Sequence, residues 1–461
     1  MGTAAGSYRS NVASRLDRLP ISSVHRTVII GLAFAYFFEL GDLNTFAFAA
    51  PALIKVWNLT VGSIALITSL SFLGMFIGAT TGGWFADRVG RKRGLIYTVV
   101  IYSLSSLLNA ASWDVYSLGA FRFLTGIGLS SMVVIANTYI SEFFPAASRG
   151  KYQGWAMTFG LFGIPITSWV ARFVVPLAPW AWRLVFVWGA LGIVALIFVA
   201  RMVESPRWFE VRGRSAEADA VMSEIERETE AEKGKLPQPR NTGAQEIVQS
   251  VPYMELFKGK YLSRTTLLLA AWIFQTLGFY GFVSWVPTLL VQHGFSVVSS
   301  LTFTSIIALG APLGAFIAAM IADRIDRKWS LTMVAVLTAI FGLLYGATFQ
   351  PLLIVAFGFL VTVSIQAFAP LLYAYSPELY PTEARASGTG LTYGVGRLAN
   401  VLGPVIVSSL FLGYGYGSVF AYIAACWLVV ALAVGFFGPR TTKRSLEQIS
   451  STSVSTLSKA A

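Results

Sequence analysis

A chain of 461 residues with a mean hydropathy of +0.66, 55% apolar residues and only 12% charged ones is excluded from the ordinary water-soluble class, where the charged fraction is about twice as high. The net charge of +12 would suit nucleic acid, but its distribution points elsewhere. Of the 34 Lys and Arg, all but five fall in the tails and in alternate loops. Lys55, Arg172 and Arg183 lie on the other side, and Arg122 and Arg397 lie inside apolar runs. This is the positive-inside asymmetry. It predicts a multi-pass protein of the cell (plasma or inner) membrane with both termini cytoplasmic, and the lipid bilayer rather than nucleic acid as its surroundings. The single Cys426 leaves no intrachain disulfide, and two His leave no Cys/His metal cluster. Residues 1–25 are polar and basic, without the apolar segment of a cleavable signal.

In chain order, the tail at 1–25 precedes apolar runs near 26–50, 61–86, 94–111, 115–138, 151–173 and 181–201, each long enough to span about 30 Å of hydrocarbon. A polar linker at 202–263 follows. Its Ala/Glu/Lys-rich stretch from Ser215 to Lys235 predicts an amphipathic surface helix, Pro237 to Gly243 a loop, and Val251 to Phe257 the start of another short helix. Spans resume near 264–290, 297–322, 330–348, 352–374, 386–412 and 416–438, and a Ser/Thr-rich tail fills 439–461. The predicted fold is all-α: twelve transmembrane helices in two six-helix bundles, 26–201 and 264–438. Glycines such as Gly74, Gly78, Gly126, Gly128, Gly310 and Gly314 let neighbouring helices approach closely.

The two bundles repeat one another. Gly83-Trp84-Phe85-Ala86-Asp87-Arg88-Val89-Gly90-Arg91-Lys92 separates the second and third spans, and Asp323-Arg324-Ile325-Asp326-Arg327-Lys328 sits 236 residues further on. The same shift carries Glu142 onto Glu378, Pro145 onto Pro381 and Arg149 onto Arg385. A register held over two separate motifs marks a duplicated half.

The segment at 83–92 resembles the signature loop between helices 2 and 3 of major facilitator superfamily transporters, and Arg122-Phe-Leu-Thr-Gly126-Ile-Gly128 resembles that superfamily's fourth-helix motif. Glu204-Ser205-Pro206-Arg207-Trp208 and Ser376-Pro377-Glu378-Leu379-Tyr380-Pro381-Thr382 are similar to the sugar-porter and metabolite:proton symporter branch. The resemblance covers residues 26 to 440. It implies the major facilitator fold and transport by alternating access.

Intramembrane charge is costly and marks function by default. Four such charges stand out: Glu39, Asp42, Arg122 and Arg397. Glu39 and Asp42 are three apart and share a helix face. Asp42 and Arg122 both fall roughly 10–12 Å below the outer surface, at about 1.5 Å per residue, so they can pair. The resemblance implies that Asp42 and Arg122 form a proton-coupling pair, with Glu39-Leu-Gly-Asp42 similar to the paired-acid motif of the metabolite symporters. A movement that opens or closes the pair would load or release a proton, and the two acids could titrate together.

Arg397 falls about 16 Å into its span, near the midplane, with no acid read at that depth. Gln275 lies level with it, and Tyr36, Trp155, Phe159, Trp272, Tyr280 and Tyr393 surround this level. A guanidinium there suits a visiting carboxylate; capture by a backbone carbonyl or by Asn400 is the alternative. Gln275 and Gly278 match the sugar porters' helix-7 Gln-x-x-Gly pattern. Tyr280, however, replaces the Asn expected to hold a sugar hydroxyl, and the helix-10 Gly-Pro-x-x-Trp pattern is missing around Ala369 to Tyr373. These departures disfavour hexose and favour an organic acid.

A charged ring is expected at the inner ends of the spans: Gly83, Asp87, Arg88, Gly90, Arg91, Glu142, Arg149, Glu204 and Arg207 in the first half, and Asp323, Arg327, Glu378 and Arg385 in the second. The resemblance implies that these form ion pairs between the halves and hold the inner side shut, with an acid at the end of span 2 set against the start of helix 11. Ala319 and Asp326 replace the two motif glycines in the second copy.

The residues together point to a proton-coupled symporter of a small organic anion, an aromatic carboxylate in particular. It would act as a monomer, with protons as the coupling ion and no cofactor. Sugar or polyol symport, proton-antiport export of a drug or metabolite, and a non-transporting sensor stand as alternatives. Phosphate-cradling loops, metal-binding pairs and nucleophile motifs are missing from the sequence, which argues against an enzyme.

Overall fold

In the computed structural model, which describes residues 12–239, 252–321 and 324–441, no strand occurs among those residues and the chain is helical almost throughout. A short α1 (Val12–Asp17) precedes α2 (Ser23–Val56), α3 (Val61–Val89), α4 (Arg91–Ala111) and α5 (Val115–Phe143). The fifth crossing is broken at Phe162 into α6 (Arg149–Leu161) and α7 (Gly163–Val174). The sixth runs through α8 (Arg183–Ala190), a 3-10 stretch at Leu191–Ala195, and α9 (Leu196–Val199). The linker carries α10 (Pro206–Val211) and α11 (Ser215–Lys233). The second half comprises α12 (Gly259–Val283) with α13 (Val286–Gln292), α14 (Val297–Ala308) with α15 (Gly310–Ile321), α16 (Arg327–Gly346), α17 (Pro351–Glu378), α18 (Thr382–Tyr414) and α19 (Tyr416–Leu432). Among the described residues, 11 helical rods are long and apolar enough to cross a membrane, and the shorter Arg183–Val199 makes the twelfth crossing.

Helix starts follow from local chemistry. Thr60 accepts from Ser63 N at 3.1 Å to open α3, Asp114 from Ser117 N at 2.7 Å to open α5, and Ser296 from Ser299 N at 3.0 Å to open α14. Each satisfies an amide that the first turn leaves unpaired. Within the bilayer every backbone group must find such a partner, so only helices span it here.

The shift of 236 residues reappears in the packing. A Cβ on Gly74 or Gly78 would strike the backbone at Phe123 or Ile127 of α5. One on Gly310 or Gly314 would strike the backbone at Phe359 or Val363 of α17, the same contacts moved by one repeat. Tyr139 Oη donates to Val203 O, and Tyr375 Oη donates to Pro439 O at 2.9 Å. Arg91 pairs with Glu142 at 2.7 Å, and Arg327 pairs with Glu378. Backbone-level contact at small residues makes α3–α5 and α15–α17 the stiff pairs of their halves.

The halves meet unevenly. One apolar core joins the second half to the first half's far ends, including Phe46, Leu53, Ile64, Leu118, Val175 and Trp182, away from the basic loops. Arg172 of α7 donates to Thr302 of α14 at that end. At the basic end the first half keeps a separate core, including Leu95, Tyr139, Phe143, Phe144 and Trp208, shared only with α1, α10 and α11. The halves are therefore parted toward the basic face.

One expectation is corrected. Residues 1–25 are not tail throughout: Val12, Leu16 and Leu19 are buried, and α2 begins at Ser23. The linker's α10 and α11 are tied to the first half, while its 3-10 turn at Tyr253–Phe257 packs on the second. Arg15 binds Asp219 at 2.5 Å and Glu226 at 2.7 Å, Arg18 binds Glu226 at 2.6 Å, and Arg26 binds Glu232. The apolar stripe Val12/Leu16 was too short to read as a helix without its partner α11. Residues 237–239 have no regular structure, as the loop expectation had it, and a 3-10 turn at Tyr253–Phe257 lies where a short helix was expected to start; residues 240–251 lie outside the described ones.

Burial pushes the Glu226 carboxyl up, but the hydrogen bonds from Arg15 and Arg18 outweigh it and hold the group below its usual range. Its contribution to docking α1 is then present above the ordinary carboxylate pKa of about 4.3 and lost as pH falls through its lower folded value. Glu226→Gln should make Arg15 and Arg18 several-fold more susceptible to trypsin at neutral pH, and acid should raise hydrogen exchange at 12–17 in the wild type. Unchanged cleavage would show that the apolar contacts alone hold α1.

Candidate functional site

Asp42 of α2 and Arg122 of α5 are both buried, and their closest charged atoms are 3.9 Å apart. No hydrogen bond joins the two side chains. Asp42 Oδ1 accepts from Ser106 Oγ at 2.9 Å and Thr45 Oγ1 at 3.1 Å, while Oδ2 has no partner. The guanidinium rests on weak contacts: Thr45 Oγ1 and Ser71 Oγ at 3.3 Å, and the carbonyls of Asp42 and Leu43 at 3.4 Å. Hydrogen bonds this long are weak. The pair is in place but not locked.

Glu39, one turn back on α2, is buried yet makes no ion pair or hydrogen bond among the described residues. It lies within electrostatic reach of Arg397, with Asp42 a smaller influence. Two expectations change here. The acids on one helix turn divide, Asp42 packing into the first half and Glu39 facing the second. Arg397 also has an acid near its level, supplied by α2.

Arg397 sits at the middle of α18 and is half-buried. Nε donates to Tyr393 Oη and Nη1 to Tyr280 Oη, both at 3.0 Å. Nη2 has no protein acceptor among the described residues, and no acid comes within ion-pair distance of the group. The Tyr393 ring lies 5.2 Å from the guanidinium carbon. Tyr280 packs on Phe72 of α3 at 4.8 Å, so the group stands at the seam between the halves. Trp272 backs this wall, 5.0 Å from Tyr373 and 5.1 Å from Tyr393, its indole bonded to Ser376 Oγ at 3.0 Å. Asn400 does not capture the guanidinium; its amide is buried, with both polar atoms unbonded.

On the opposite wall, Tyr36 is fully buried, and its hydroxyl donates to Asn137 Oδ1 at 2.6 Å, an atom that also accepts from Gln153 Nε2 at 3.1 Å. Gln275 is buried and accepts from Thr276 Oγ1 at 3.3 Å. Trp155 is 64% exposed on α6 and enters no ring pair among the described residues.

At the basic face, Arg91 Nη1 bonds Asp87 at 2.5 Å, and its Nε and Nη2 clamp Glu142, which also accepts from Ser205 Oγ at 2.7 Å. Glu204 accepts from Arg91 N at 2.7 Å and Lys92 N at 3.0 Å, an anion on the first turn of α4. Gly90 has φ +104, and a Cβ there would strike Glu204. In the second copy Asp326, the residue replacing that glycine, opens α16 itself by accepting from Lys328 N at 3.0 Å. Arg88 lies over Trp84 at 4.0 Å, and Arg385 Nε donates to Pro377 O at 3.1 Å. Arg149 and Arg207 make no ion pair among the described residues; Gly83 has open space around it apart from Val134. Asp323 lies outside the described residues. The resolved ion pairs therefore form inside each half, not between halves as expected, because the halves part at this end. Asp87 is held by Arg91, and the acid found at a helix start is Glu204 on α4.

Residues 27–452 match the model of the sugar (and other) transporter family. The chain belongs to that family. Among its relatives, YyaJ of Bacillus subtilis, named for metabolite transport, is 50% identical over 95% of this chain and 97% of its own. The niacin transporter NiaP of Acinetobacter baylyi is 30% identical over 95% of this chain and 99% of its own. The xylose transporter XylE of Escherichia coli, in a partially occluded inward-open conformation, superposes with a TM-score of 0.74 at 20% identity, over 92% of this chain and 100% of that one. The major facilitator fold read from the sequence is thus present, and the protein is a multi-pass membrane transporter, not an enzyme.

For this family member the sequence missed Asn137, Ser106, Thr45 and Tyr373. All are polar groups inside spans, a signal that hydropathy averages away. In the charge cluster, Glu142→Gln should lower thermal stability by about 1–3 kcal/mol, more than Glu378→Gln, because Glu142 also holds Ser205. Thermal unfolding of detergent-solubilised variants measures the order; the reverse order would assign the stronger tie to the second half.

Proposed function

We propose that this transporter moves a small organic anion, an aromatic carboxylate in the first place, in symport with protons, by alternating access between the halves around Arg397. The observation that carries the reading is the half-buried guanidinium at mid-helix, oriented by two tyrosine hydroxyls and left with Nη2 free of any described acceptor. A planar fork held this way suits a carboxylate, and the rings of Tyr280, Tyr393, Tyr373 and Trp272 suit the flat body attached to it. The name of the niacin transporter supports the class, since niacin is a pyridine carboxylate. The basic face is the cytoplasmic one by the charge rule, which makes the described state inward-facing. The protein would work as a monomer in the cell membrane, with the proton as its coupling ion.

Glu39 gives the coupling a physical basis. Ionised, it competes with a substrate carboxylate for the field of Arg397; protonated, it stops competing. Proton and anion then favour each other's binding, and such coupling is reciprocal. Asp42 and Arg122, unlocked at 3.9 Å, form the second proton site; a small change in spacing alters how strongly the carboxylate is held.

Uptake of labelled nicotinate into proteoliposomes tests the reading. Arg397→Ala should weaken binding by about 2–5 kcal/mol, the cost of truncating one partner of a hydrogen-bonded charge pair, and Arg397→Lys should also fail, since a point charge does not replace the fork. Carboxylate binding by Arg397→Ala equal to wild type, or a neutral or cationic substrate, would overturn it.

Asp42→Asn should abolish uphill accumulation driven by a proton gradient while substrate exchange stays measurable. Accumulation equal to wild type would move the coupling role to Glu39.

A further inference from the structure

The first half buries a hydroxyl that the reading above does not use. Tyr102 of α4 is fully buried, and its Oη has no hydrogen-bond partner; Ser103 comes near without forming one. Bare space does not explain it, because two elements are shaped around this residue. A Cβ on Gly128 of α5 would lie 2.7 Å from Tyr102 N, and one on Gly192 of the 3-10 stretch would lie 2.7 Å from the ring carbon bearing the hydroxyl. One turn along α4, Ser106 donates to Asp42 Oδ1 at 2.9 Å, in a niche where a Cβ on Gly189 would come within 2.9 Å of Ser106 Oγ.

Helices α2 and α4 run in the same direction, so Tyr102 stands one turn from Ser106 as Glu39 stands one turn from Asp42. The phenol lies within electrostatic reach of both acids, Asp42 more strongly than Glu39. Asp42 Oδ2 is also buried without a partner. The other ionisable groups facing this cluster are Arg122 of α5, which addresses Asp42, and Tyr36 of α2, Tyr280 of α12 and Arg397 of α18, which address Glu39. A Cβ on Gly189 would strike Asp42 Oδ1 and one on Gly192, a turn further on, would strike Tyr102 Oη, so the two orphaned groups lie about one turn apart, with no hydrogen bond between them, beside a third group, Glu39, that looks across the seam. Orphaned buried polar atoms are rare and costly, and a chemical role is one of the few reasons to keep them.

We propose that Tyr102 relays protons between Asp42 and Glu39. The step is an exchange. Once both acids close to hydrogen-bond reach of the phenol, the carboxylic acid of Asp42 gives its proton to Tyr102 Oη as the phenolic proton passes to the Glu39 carboxylate, leaving Asp42 ionised, Glu39 neutral and the phenol unchanged; loading runs the other way. Tyr102 touches no substrate. It connects a proton site sealed inside the first half to the acid that faces Arg397. The inference rests on the proton-coupled reading, and Ser106 and Thr45 are the groups that hold Asp42 in register for it.

The test follows carboxyl protonation by time-resolved infrared spectroscopy after a pH jump on the full chain in proteoliposomes, with bands assigned by Asp42→Asn and Glu39→Gln. No substrate is needed. Tyr102→Phe keeps the ring in its glycine niche and removes only the hydroxyl. Protonation of Asp42 should slow by about tenfold or more, in the range typical of a positioned proton carrier, while Glu39 keeps its wild-type rate. In the unmutated protein, heavy water should slow Asp42 more than Glu39, a readout independent of whether the variant folds. Wild-type Asp42 kinetics in Tyr102→Phe, or equal slowing of both acids, overturns the relay. Nicotinate uptake by the wild type, measured with and without a proton gradient, separates the two ideas. Absence of gradient-driven uptake defeats the coupled reading and deprives the relay of its purpose, whereas coupled uptake with unaltered Asp42 kinetics defeats the relay alone.

Discussion

A carboxylate and a guanidinium removed from water and left 3.9 Å apart set the terms for the first half. Burying such a pair costs several kcal/mol per ion, recovered only with excellent geometry, and this geometry is not excellent. The deficit falls on the scaffold. Hydroxyls of Thr45, Ser71 and Ser106 supply the dipoles that water would have supplied. The glycines of α3 bring its backbone onto α5, so Arg122 projects from a helix with little freedom to shift. A site whose two charges were fully satisfied would hold one state; this one is built to be stable as a scaffold and undecided at its centre.

The fold could be read almost completely from the chain because its causes are local or periodic: apolar length, charge asymmetry and a repeat in one register. The register predicts that a tie such as Arg91–Glu142 recurs one repeat on, as Arg327–Glu378 does. What sequence could not show depends on which half a side chain faces. Glu39 and Asp42 share a helix turn, yet one packs inward and the other looks across, a difference of direction that spacing does not encode. Arg397 seemed alone because its neighbours, two tyrosine hydroxyls and a distant acid, come from three helices. The charged ring was identified residue by residue, but whether its pairs close within or between halves depends on conformation. The helix at Val12–Asp17 was invisible without the acidic face of α11 to receive it.

The duplication is faithful in packing and broken in chemistry. One repeat on from Asp42 and Arg122 stand Gly278 and Gly358, which lie against Trp427 and Ile307. Glu39 corresponds to Gln275, and Arg397 to Leu161. The intramembrane acids are thus confined to the first half and the free fork to the second, so that their meeting depends on how the halves are placed. The basic face diverges likewise. Arg440 occupies the position of Glu204, and with no acid there to cap α16, Asp326 does so in place of the flexible glycine. The second copy has kept the function of the cap by another route.

The sixth crossing carries a consequence for the surrounding lipid. Arg183–Val199 is too short to qualify as a regular span. As uninterrupted α-helix it would extend about 25 Å, several ångströms less than a typical hydrocarbon core of about 30 Å. Its central 3-10 stretch of 5 residues rises about 2.0 Å per residue and lengthens it to roughly 28 Å. Residual mismatch is met by thinning the bilayer or tilting the helix, at a fraction of a kcal/mol per ångström. The over-wound segment that makes room for the Tyr102 ring therefore also tunes the transporter to membrane thickness on one flank, where a thicker bilayer would pull on the same turn.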